Sequence, residues 1–107
     1  MSQEIFAIAV IQPEEGHEQE VMDILRDLYG VMTRKNYSRN TVYRDRKDPS
    51  RLINFRYWTS DEARSRAQED PDVHRCWARL GQVAKVEFVM EELDEVSFGT
   101  VPIGNAP

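Results

Sequence analysis

The chain has few of the residues that form disulfides, metal sites or phosphate-binding loops. It contains one cysteine, Cys76, so no disulfide can form within the chain. Its two histidines, His17 and His74, stand far apart, and with one cysteine they give no zinc-site spacing. Glycine clusters only near the C-terminal end, so no phosphate-binding loop is present. We therefore expect neither a metal nor a bound cofactor.

Long apolar runs are also absent. The longest, "IFAIAVI" at residues 5–11, is far too short to cross a bilayer. Glu4 precedes it instead of a basic cluster, which is unlike a signal peptide. The formal net charge of -5 argues against nucleic acid as the main partner. With a single cysteine, these features lead us to expect a cytoplasmic protein that binds neither membranes nor nucleic acid.

The charge is unevenly distributed along the chain. Residues 34–56 contain eight basic side chains and two acidic ones. One interpretation is a solvated hairpin whose long side chains cover its edges. The other is the mouth of a site that attracts an anionic ligand. The sequence leaves both open.

Hydrophobic periods predict the order strand, helix, strand, strand, helix in two pieces, strand. The apolar stripe of the first helix has the spacing i, i+3, i+4, i+7, i+11 from Val21 to Met32. Thr59 with Glu62 fits a capping box for the second helix, and Asp70 before Pro71 fits the start of the next. The last strand is expected to place Val86, Phe88 and Met90 on one face. The predicted segments are residues 4–11, 17–33, 36–46, 51–58 and 59–69, a further helix that begins at residue 70, and a last strand at residues 85–93.

This order predicts an α+β fold of the ferredoxin-like, split βαβ type, with a four-stranded antiparallel sheet. Helices cover only one face of such a sheet, yet the first strand is apolar on both faces. A second copy is the economical cover, so we expect a homodimer that forms a dimeric α+β barrel. Residues 1–96 would form the domain. Residues 97–107, with Phe98, Val101 and Ile103, would form a C-terminal arm.

The stretch "RLINFRYW" carries polar groups on an otherwise apolar strand. Alternation places Asn54 and Arg56 on one face with Leu52 and Trp58, and Tyr57 on the other. Asn54 could bond to the backbone or to Arg56, or it could face a ligand. Arg56 could reach solvent, pair with an acid or bind an anionic ligand.

The segment "YRDRKDPSRLINFRYWTSDEARSRAQEDPDVHR" carries a family resemblance. It has Asp and Pro in the turn, an apolar strand that ends in Trp-x-Ser, a helix with Glu and Ala, and then a Pro-to-His segment. In these features residues 4–93 resemble the antibiotic biosynthesis monooxygenase family of the dimeric α+β barrel superfamily. The site pattern is most similar to the family's cofactor-independent monooxygenase of the actinorhodin pathway, whose pocket has an asparagine four residues before a tryptophan. Asn54 and Trp58 match those two positions.

The resemblance implies a set of candidate site residues. Asn54, Trp58 and His74 are the catalytic candidates, with His74 as the proton acceptor from a phenol. Arg56, Arg64 and Tyr57 are candidate substrate contacts. Arg64 stands where the actinorhodin-pathway enzyme has a tyrosine. The helix arginine of that enzyme has nearby candidates in Arg75 and Arg79. Tyr43 and Tyr57 could instead face the dimer interface, which is the interpretation we favour for them.

The function implied is cofactor-independent oxidation of an aromatic polycyclic or quinol-type substrate by molecular oxygen, from phenol to quinone. A non-catalytic ligand-binding or regulatory dimer on the same scaffold is the first alternative. A haem-binding or haem-degrading protein is the second, although the family's haem-site positions hold Ala7, Ala67 and Trp77 here, with His74 nearby. A small-metabolite isomerase is the third.

The C-terminal arm gives a first prediction. If the arm packs on the partner subunit, a chain that lacks residues 97–107 should dimerise more weakly than the full chain. Sedimentation over a dilution series measures the dissociation constant. An unchanged constant would show that the arm has no part in assembly.

Overall fold

The computed structural model describes residues 4–96, which form four strands and three helices. The predicted element order is confirmed, and each boundary lies within three residues of its expected position, because strong apolar periods define the segments. No helix in this part of the chain is long and apolar enough to span a membrane. The elements are β1 (Ile5–Pro13), α1 (Glu18–Arg34), β2 (Ser38–Arg44), β3 (Leu52–Trp58), α2 (Asp61–Gln68), α3 (Pro71–Val83) and β4 (Ala84–Asp94).

The four strands form one antiparallel sheet in the order β2-β3-β1-β4. This is the predicted α+β ferredoxin-like fold, with β1 and β3 at the centre. In register, Ala7 of β1 lies opposite Arg56 of β3, and Arg56 lies opposite Asn40 of β2. Residues that oppose each other across antiparallel strands share a face of the sheet, so these three side chains point the same way.

The helices pack on one face of the sheet, which we call the inner face. The apolar stripe of α1 is buried as predicted from its spacing. It meets side chains such as Ile11 and Leu52 from the sheet and Leu80 from α3. Burial of this stripe, at roughly 1.5–3 kcal/mol for each large side chain, fixes α1 against the sheet.

The start of α2 differs from the predicted capping box by one residue. The N-cap is Ser60, whose hydroxyl accepts from the Ala63 N–H at 3.0 Å. Thr59 still belongs to the end of the sheet, because its N–H donates to the Tyr37 carbonyl at 2.9 Å. Its hydroxyl donates to the Asn36 carbonyl at 2.8 Å. The prediction of Thr59 as the cap was therefore wrong, because these contacts use its polar groups elsewhere.

The face prediction for β4 was also wrong in one part. Val86 and Phe88 lie opposite Ile11 and Ala9, on the inner face. Between Ala9 and Ile8 the pairing then shifts register by one residue, and Met90 lies opposite Ile8 on the other face. Such a shift places an extra residue in β4, which reverses the alternation of the residues that follow. Strict alternation had placed Met90 with Phe88.

The opposite, helix-free face of the sheet carries aromatic and aliphatic side chains. The Phe6 ring stacks on Tyr57 at 4.6 Å and on Phe55 at 5.6 Å, and the Arg39 guanidinium lies 3.8 Å from the centre of the Tyr57 ring. Tyr43, at the edge, is exposed. The predicted C-terminal arm, residues 97–107, lies outside the described residues.

Asp70, at the N-terminus of α3, joins this helix to the loop between α1 and β2. Its carboxylate accepts from the Asp72 N–H at 2.8 Å and so caps the helix, as predicted. It also accepts from Lys35 Nζ and from the Tyr37 hydroxyl, each at 2.7 Å. The Lys35 ammonium and, after it, the Tyr37 hydroxyl hold the pKa of Asp70 well below its usual range. The carboxylate therefore stabilises the fold in its ionised form.

This contact predicts a stability difference that depends on pH. Asp70→Asn keeps an oxygen that can cap α3 but loses the charge, so Tm at neutral pH should fall by roughly 4–8 °C. Because the folded pKa is depressed, the stabilisation is complete above the unfolded pKa of about 3.9. It is lost as pH falls through the folded value. Calorimetry from pH 7 to acid should show the difference shrinking below about pH 4.

Asp23→Asn is the matched control for this measurement. Asp23 pairs with Arg26 on the exposed surface of α1, so its charge should have little effect on Tm. A difference between the wild type and Asp70→Asn that stays constant down to the lowest pH would contradict the assignment.

Candidate active site

A cavity of about 230 Å³ lies between the inner face of the sheet, α1, α2 and α3. Its wall is mostly apolar, with polar groups from β3, α2, α3 and β4. Small side chains make this space: Ala7 and Ala9 at the centre of β1 and Ala67 on α2 leave the volume that larger residues would fill. The lining residues are Ala7, Ala9, Met32, Asn54, Arg56, Trp58, Arg64, Ala67, Gln68, Val73, His74, Trp77, Phe88 and Glu91.

Asn54 lies in the cavity wall and is only 2% exposed. Its Oδ1 accepts from Arg56 Nη2 at 3.1 Å. Because a guanidinium has only donors, the oxygen must be the atom that faces it, which directs Nδ2 elsewhere. Nδ2 is buried and has no hydrogen-bond acceptor within residues 4–96. A buried donor without a partner costs on the order of 1–3 kcal/mol, so this amide is suited to a ligand acceptor.

Arg56 is 6% exposed and keeps its charge inside the protein. Its Nε donates to Asn40 Oδ1 at 2.7 Å. The guanidinium carbon lies 5.3 Å from the centre of the Trp58 ring and 5.4 Å from that of Trp77, within cation–π range of both. Burial lowers the pKa of Arg56 to about 10. The side chain is still protonated at neutral pH.

Trp58 and Trp77 form the aromatic part of the wall. Trp58 is buried at the end of β3, and Trp77 is half-buried on α3. The centres of the Trp77 ring and the Phe88 ring of β4 lie 5.7 Å apart. The predicted apolar stripe of α3 therefore contributes to both the core and the cavity wall. Val73 and Leu80 are core residues, while Val73 also joins Trp77 at the cavity.

His74 lies at the exposed side of the cavity. Its Nε2 contacts the Gln68 carbonyl oxygen. A carbonyl can only accept, so Nε2 carries the proton and the neutral ring keeps its lone pair on Nδ1. His74 is therefore held in the tautomer that leaves Nδ1 as a proton acceptor.

Arg64 also lies at the cavity, but an acid already neutralises it. Its Nη1 donates to Glu92 at 2.5 Å, across from α2 to β4. Glu91, next to that acid, is part of the cavity lining. This edge of the cavity therefore carries charges of both signs, in contrast to the surroundings of Arg56.

The structure brings five of the six predicted site residues together around the cavity. Tyr57, the sixth, lies on the helix-free face, because it is one residue out of phase with Asn54 and Arg56 on β3. Its prediction as a substrate contact is not supported by this position. Arg75 and Arg79 do not line the cavity and instead pair with Asp72 and Asp27.

Two residues that interact with Arg56 were missed by sequence reasoning. Asn40 accepts from Arg56, and the hairpin register, which sets Asn40 opposite Arg56, could have revealed it.

Tyr29 lies on α1 four residues after Leu25, on the buried stripe. Burial raises the pKa of Tyr29 to about 12, and its hydroxyl has no partner in the described chain. The positive charge of Arg56 acts in the opposite direction and lowers the pKa of Tyr29, but by less than burial raises it.

No three His, Cys, Asp or Glu side chains of residues 4–96 are grouped as metal ligands. The fold and the cavity thus define a small α+β protein with a ligand-sized site between the sheet and the helices. The sequence model of the family "Antibiotic biosynthesis monooxygenase" matches residues 4–79, and the chain belongs to this family. No curated protein matches the sequence.

Several solved structures share the fold. SnoaB, a cofactor-independent oxygenase from Streptomyces nogalater, is 19% identical, with a TM-score of 0.75 over 94% of this chain and 99% of SnoaB. A conserved protein of unknown function from Bacteroides thetaiotaomicron is 7% identical, with a TM-score of 0.77 over 89% of this chain and all of the other. Rv0793 from Mycobacterium tuberculosis is 17% identical, with a TM-score of 0.70 over 88% and 99% of the two chains. At these identities the similarity establishes the fold.

Proposed function

We propose that this protein is a monooxygenase that oxidises a phenol-type aromatic to a quinone with molecular oxygen and without a cofactor. The observation that carries the proposal is the buried Asn54 amide, a donor without a protein acceptor in the described chain, in the wall of an aromatic cavity. Membership of the antibiotic biosynthesis monooxygenase family supports it. So does the likeness to SnoaB, which is itself a cofactor-independent oxygenase.

The reaction balances without an external reductant. A phenol with hydrogen at the para carbon gains one oxygen atom at that carbon. The second oxygen atom leaves as water with the para hydrogen and the phenolic hydrogen. The ring supplies all the electrons that reduce oxygen, so an electron-rich aromatic is required.

The cavity residues fit the steps that the protein must assist. His74 Nδ1 accepts the phenolic proton, because Nε2 is held by Gln68. The phenolate oxygen then accepts from Asn54 Nδ2, and the Trp58 N–H is a second candidate donor. Arg56 adds positive potential beside them. The apolar wall orients the ring and limits water around the charged intermediate.

The size of the cavity limits the substrate. Ligand sites in proteins commonly measure about 300–1,000 Å³. The cavity of about 230 Å³ lies just below this range, which favours a compact aromatic. Haem is larger than such a ligand, so the haem-binding alternative is not favoured.

The replacement Asn54→Leu tests the proposed role of the amide. It removes the donor for the phenolate, so the rate of oxygen uptake should fall roughly 10–1000-fold. The substrate is a hydroxylated anthracene with hydrogen para to one hydroxyl, and the spontaneous rate is subtracted. Labelled oxygen gas should place one labelled atom in the quinone formed by the wild type.

The same replacement also removes an acceptor of Arg56, so stability must be measured alongside activity. We expect a loss on the order of 1–3 kcal/mol. Ile24→Val is the matched control: it shortens a buried side chain of α1 outside the cavity lining, at about 0.5–1.5 kcal/mol, and should keep full activity. Oxygen uptake at the wild-type rate by Asn54→Leu, with only a lower Tm, would remove the support for a catalytic role of Asn54. A wild-type protein with no oxygen uptake above the spontaneous rate would favour a non-catalytic binding protein.

We also propose that two copies associate through the helix-free face. This face presents Phe6, Phe55 and Tyr57 along a shallow apolar concavity. Burying these rings against a second sheet would remove apolar area from water and form the expected barrel.

The assembly gives a prediction about mass in solution. Light scattering at micromolar concentration should give about twice the chain mass of 12.5 kDa. Phe55→Lys should shift the mass toward one chain, because a charge would then lie in the apolar contact. Gln19→Lys, on the exposed side of α1, is the control and should not change the mass. A wild-type protein that is fully monomeric would rule out the barrel.

A further inference from the structure

The charge of Arg56 has no counter-ion in the described part of the chain. The ion pairs of residues 4–96 do not include it. Its acceptors are two neutral amide oxygens, from Asn40 and Asn54. A buried charge normally requires an opposite charge, because desolvation costs several kcal/mol. The sequence allowed Arg56 to reach solvent, to pair with an acid or to bind an anionic ligand. For the described residues, solvent exposure and an acidic partner are both excluded.

The amides hold the guanidinium in place and leave part of it free. A guanidinium has five N–H groups. The hydrogen bonds within the described chain use two of them, one on Nε and one on Nη2. The rings of Trp58 and Trp77 lie beside the group at 5.3 and 5.4 Å. The remaining N–H groups offer the paired donor geometry that binds a carboxylate with two parallel hydrogen bonds.

On these grounds we propose that the cavity binds an aromatic carboxylate, a phenol-type ring that carries a permanent acid group, and that Arg56 pairs with that group. This inference rests on the proposed function for the phenol but names a second feature of the substrate. A simple phenol, with a pKa near 10, is neutral at pH 7 and would leave Arg56 without a counter-charge. The phenolate of the reaction exists only briefly. A carboxylate supplies the missing charge from the moment of binding.

Because the partners of Arg56 are neutral amides, they do not cancel its charge. A protein carboxylate at position 40 or 54 would neutralise the guanidinium and compete with the ligand. Asn40 is therefore a positioning residue: it orients Arg56 without cancelling its charge. Arg64 is in the opposite situation, because Glu92 already neutralises it.

Binding can be measured without any turnover. The chain has two tryptophans, Trp58 and Trp77, and both line the cavity, so the intrinsic fluorescence reports its occupancy. The probes are 4-hydroxybenzoate and 4-hydroxybenzamide, which differ in charge but hardly in shape. Neither can be oxidised by the proposed route, because a substituent blocks the para carbon. We expect the carboxylate to bind the wild type roughly 10–100-fold more tightly than the amide, the value of a charge-assisted pair.

Two variants test whether Arg56 is the source of this preference. Arg56→Gln removes the charge, and Asn40→Asp supplies a competing carboxylate while it keeps the guanidinium. Both should bind the two probes about equally. Arg26→Gln, which changes an exposed charge on α1, is the control and should retain the preference. If Arg56→Gln fails to fold, Asn40→Asp still decides, since it differs from the wild type by one polar group.

The outcomes separate this proposal from the proposed function. Equal binding of both probes by the wild type, a preference that survives both variants, or no quenching by either probe up to its solubility limit would each overturn the carboxylate assignment. None of these results affects oxygen uptake with a neutral hydroxyanthracene, which tests the oxygenase activity alone. Conversely, a clear preference for the carboxylate would stand even if no oxygen uptake were found.

Discussion

The buried guanidinium of Arg56 is the group on which the arrangement of the inner face depends. It is 6% exposed, and in residues 4–96 it is held by amide oxygens from two strands and flanked by two indole rings. Each contact fixes a different part of the site. The Asn54 oxygen must face the guanidinium, so the Asn54 Nδ2 group is left without an acceptor in these residues. The result is a small region of positive potential inside an apolar cavity.

The cavity exists because the residues opposite this charge are small. Ala7 lies directly across from Arg56 in the register of β1 and β3, and Ala9 lies across from Asn54. Larger side chains at these central positions would fill the space between sheet and helices, as the leucines and isoleucines do at the other end of α1. The fold thus has a packed core and an open site on the same face of one sheet. Such a site suits the proposed oxidation, in which the substrate supplies the electrons and the protein supplies orientation.

The two faces of the sheet serve different purposes, and β3 supplies residues to both. Asn54, Arg56 and Trp58 belong to the cavity, while Phe55 and Tyr57 belong to the face without helices. A one-residue difference in position therefore separates ligand chemistry from a surface suited to a second chain. Tyr57 follows this rule: it lies on the helix-free face, away from the cavity for which it was a candidate substrate contact.

Much of the fold follows from local patterns in the sequence. The spacing of Val21 to Met32 determines α1, Asp70 and Pro71 determine the start of α3, and alternation in β3 places Asn54 with Arg56. These features depend on contacts between near neighbours, for which spacing is sufficient information. The capping residue of α2 was missed by one position, because Thr59 bonds to residues 36 and 37. That contact lies outside any local window.

The remaining features were decided only by the tertiary structure. One register shift in β4 turns Met90 away from Phe88, and it arises from pairing with β1, which is distant in sequence. The lack of a counter-ion for Arg56 in the described chain depends on which acids the fold brings near it, and the fold brings none of them close enough to pair. The sequence by itself determined which side chains of β3 share a face, because backbone geometry alternates them. Only the packing of distant elements decided which of these side chains remain without a partner.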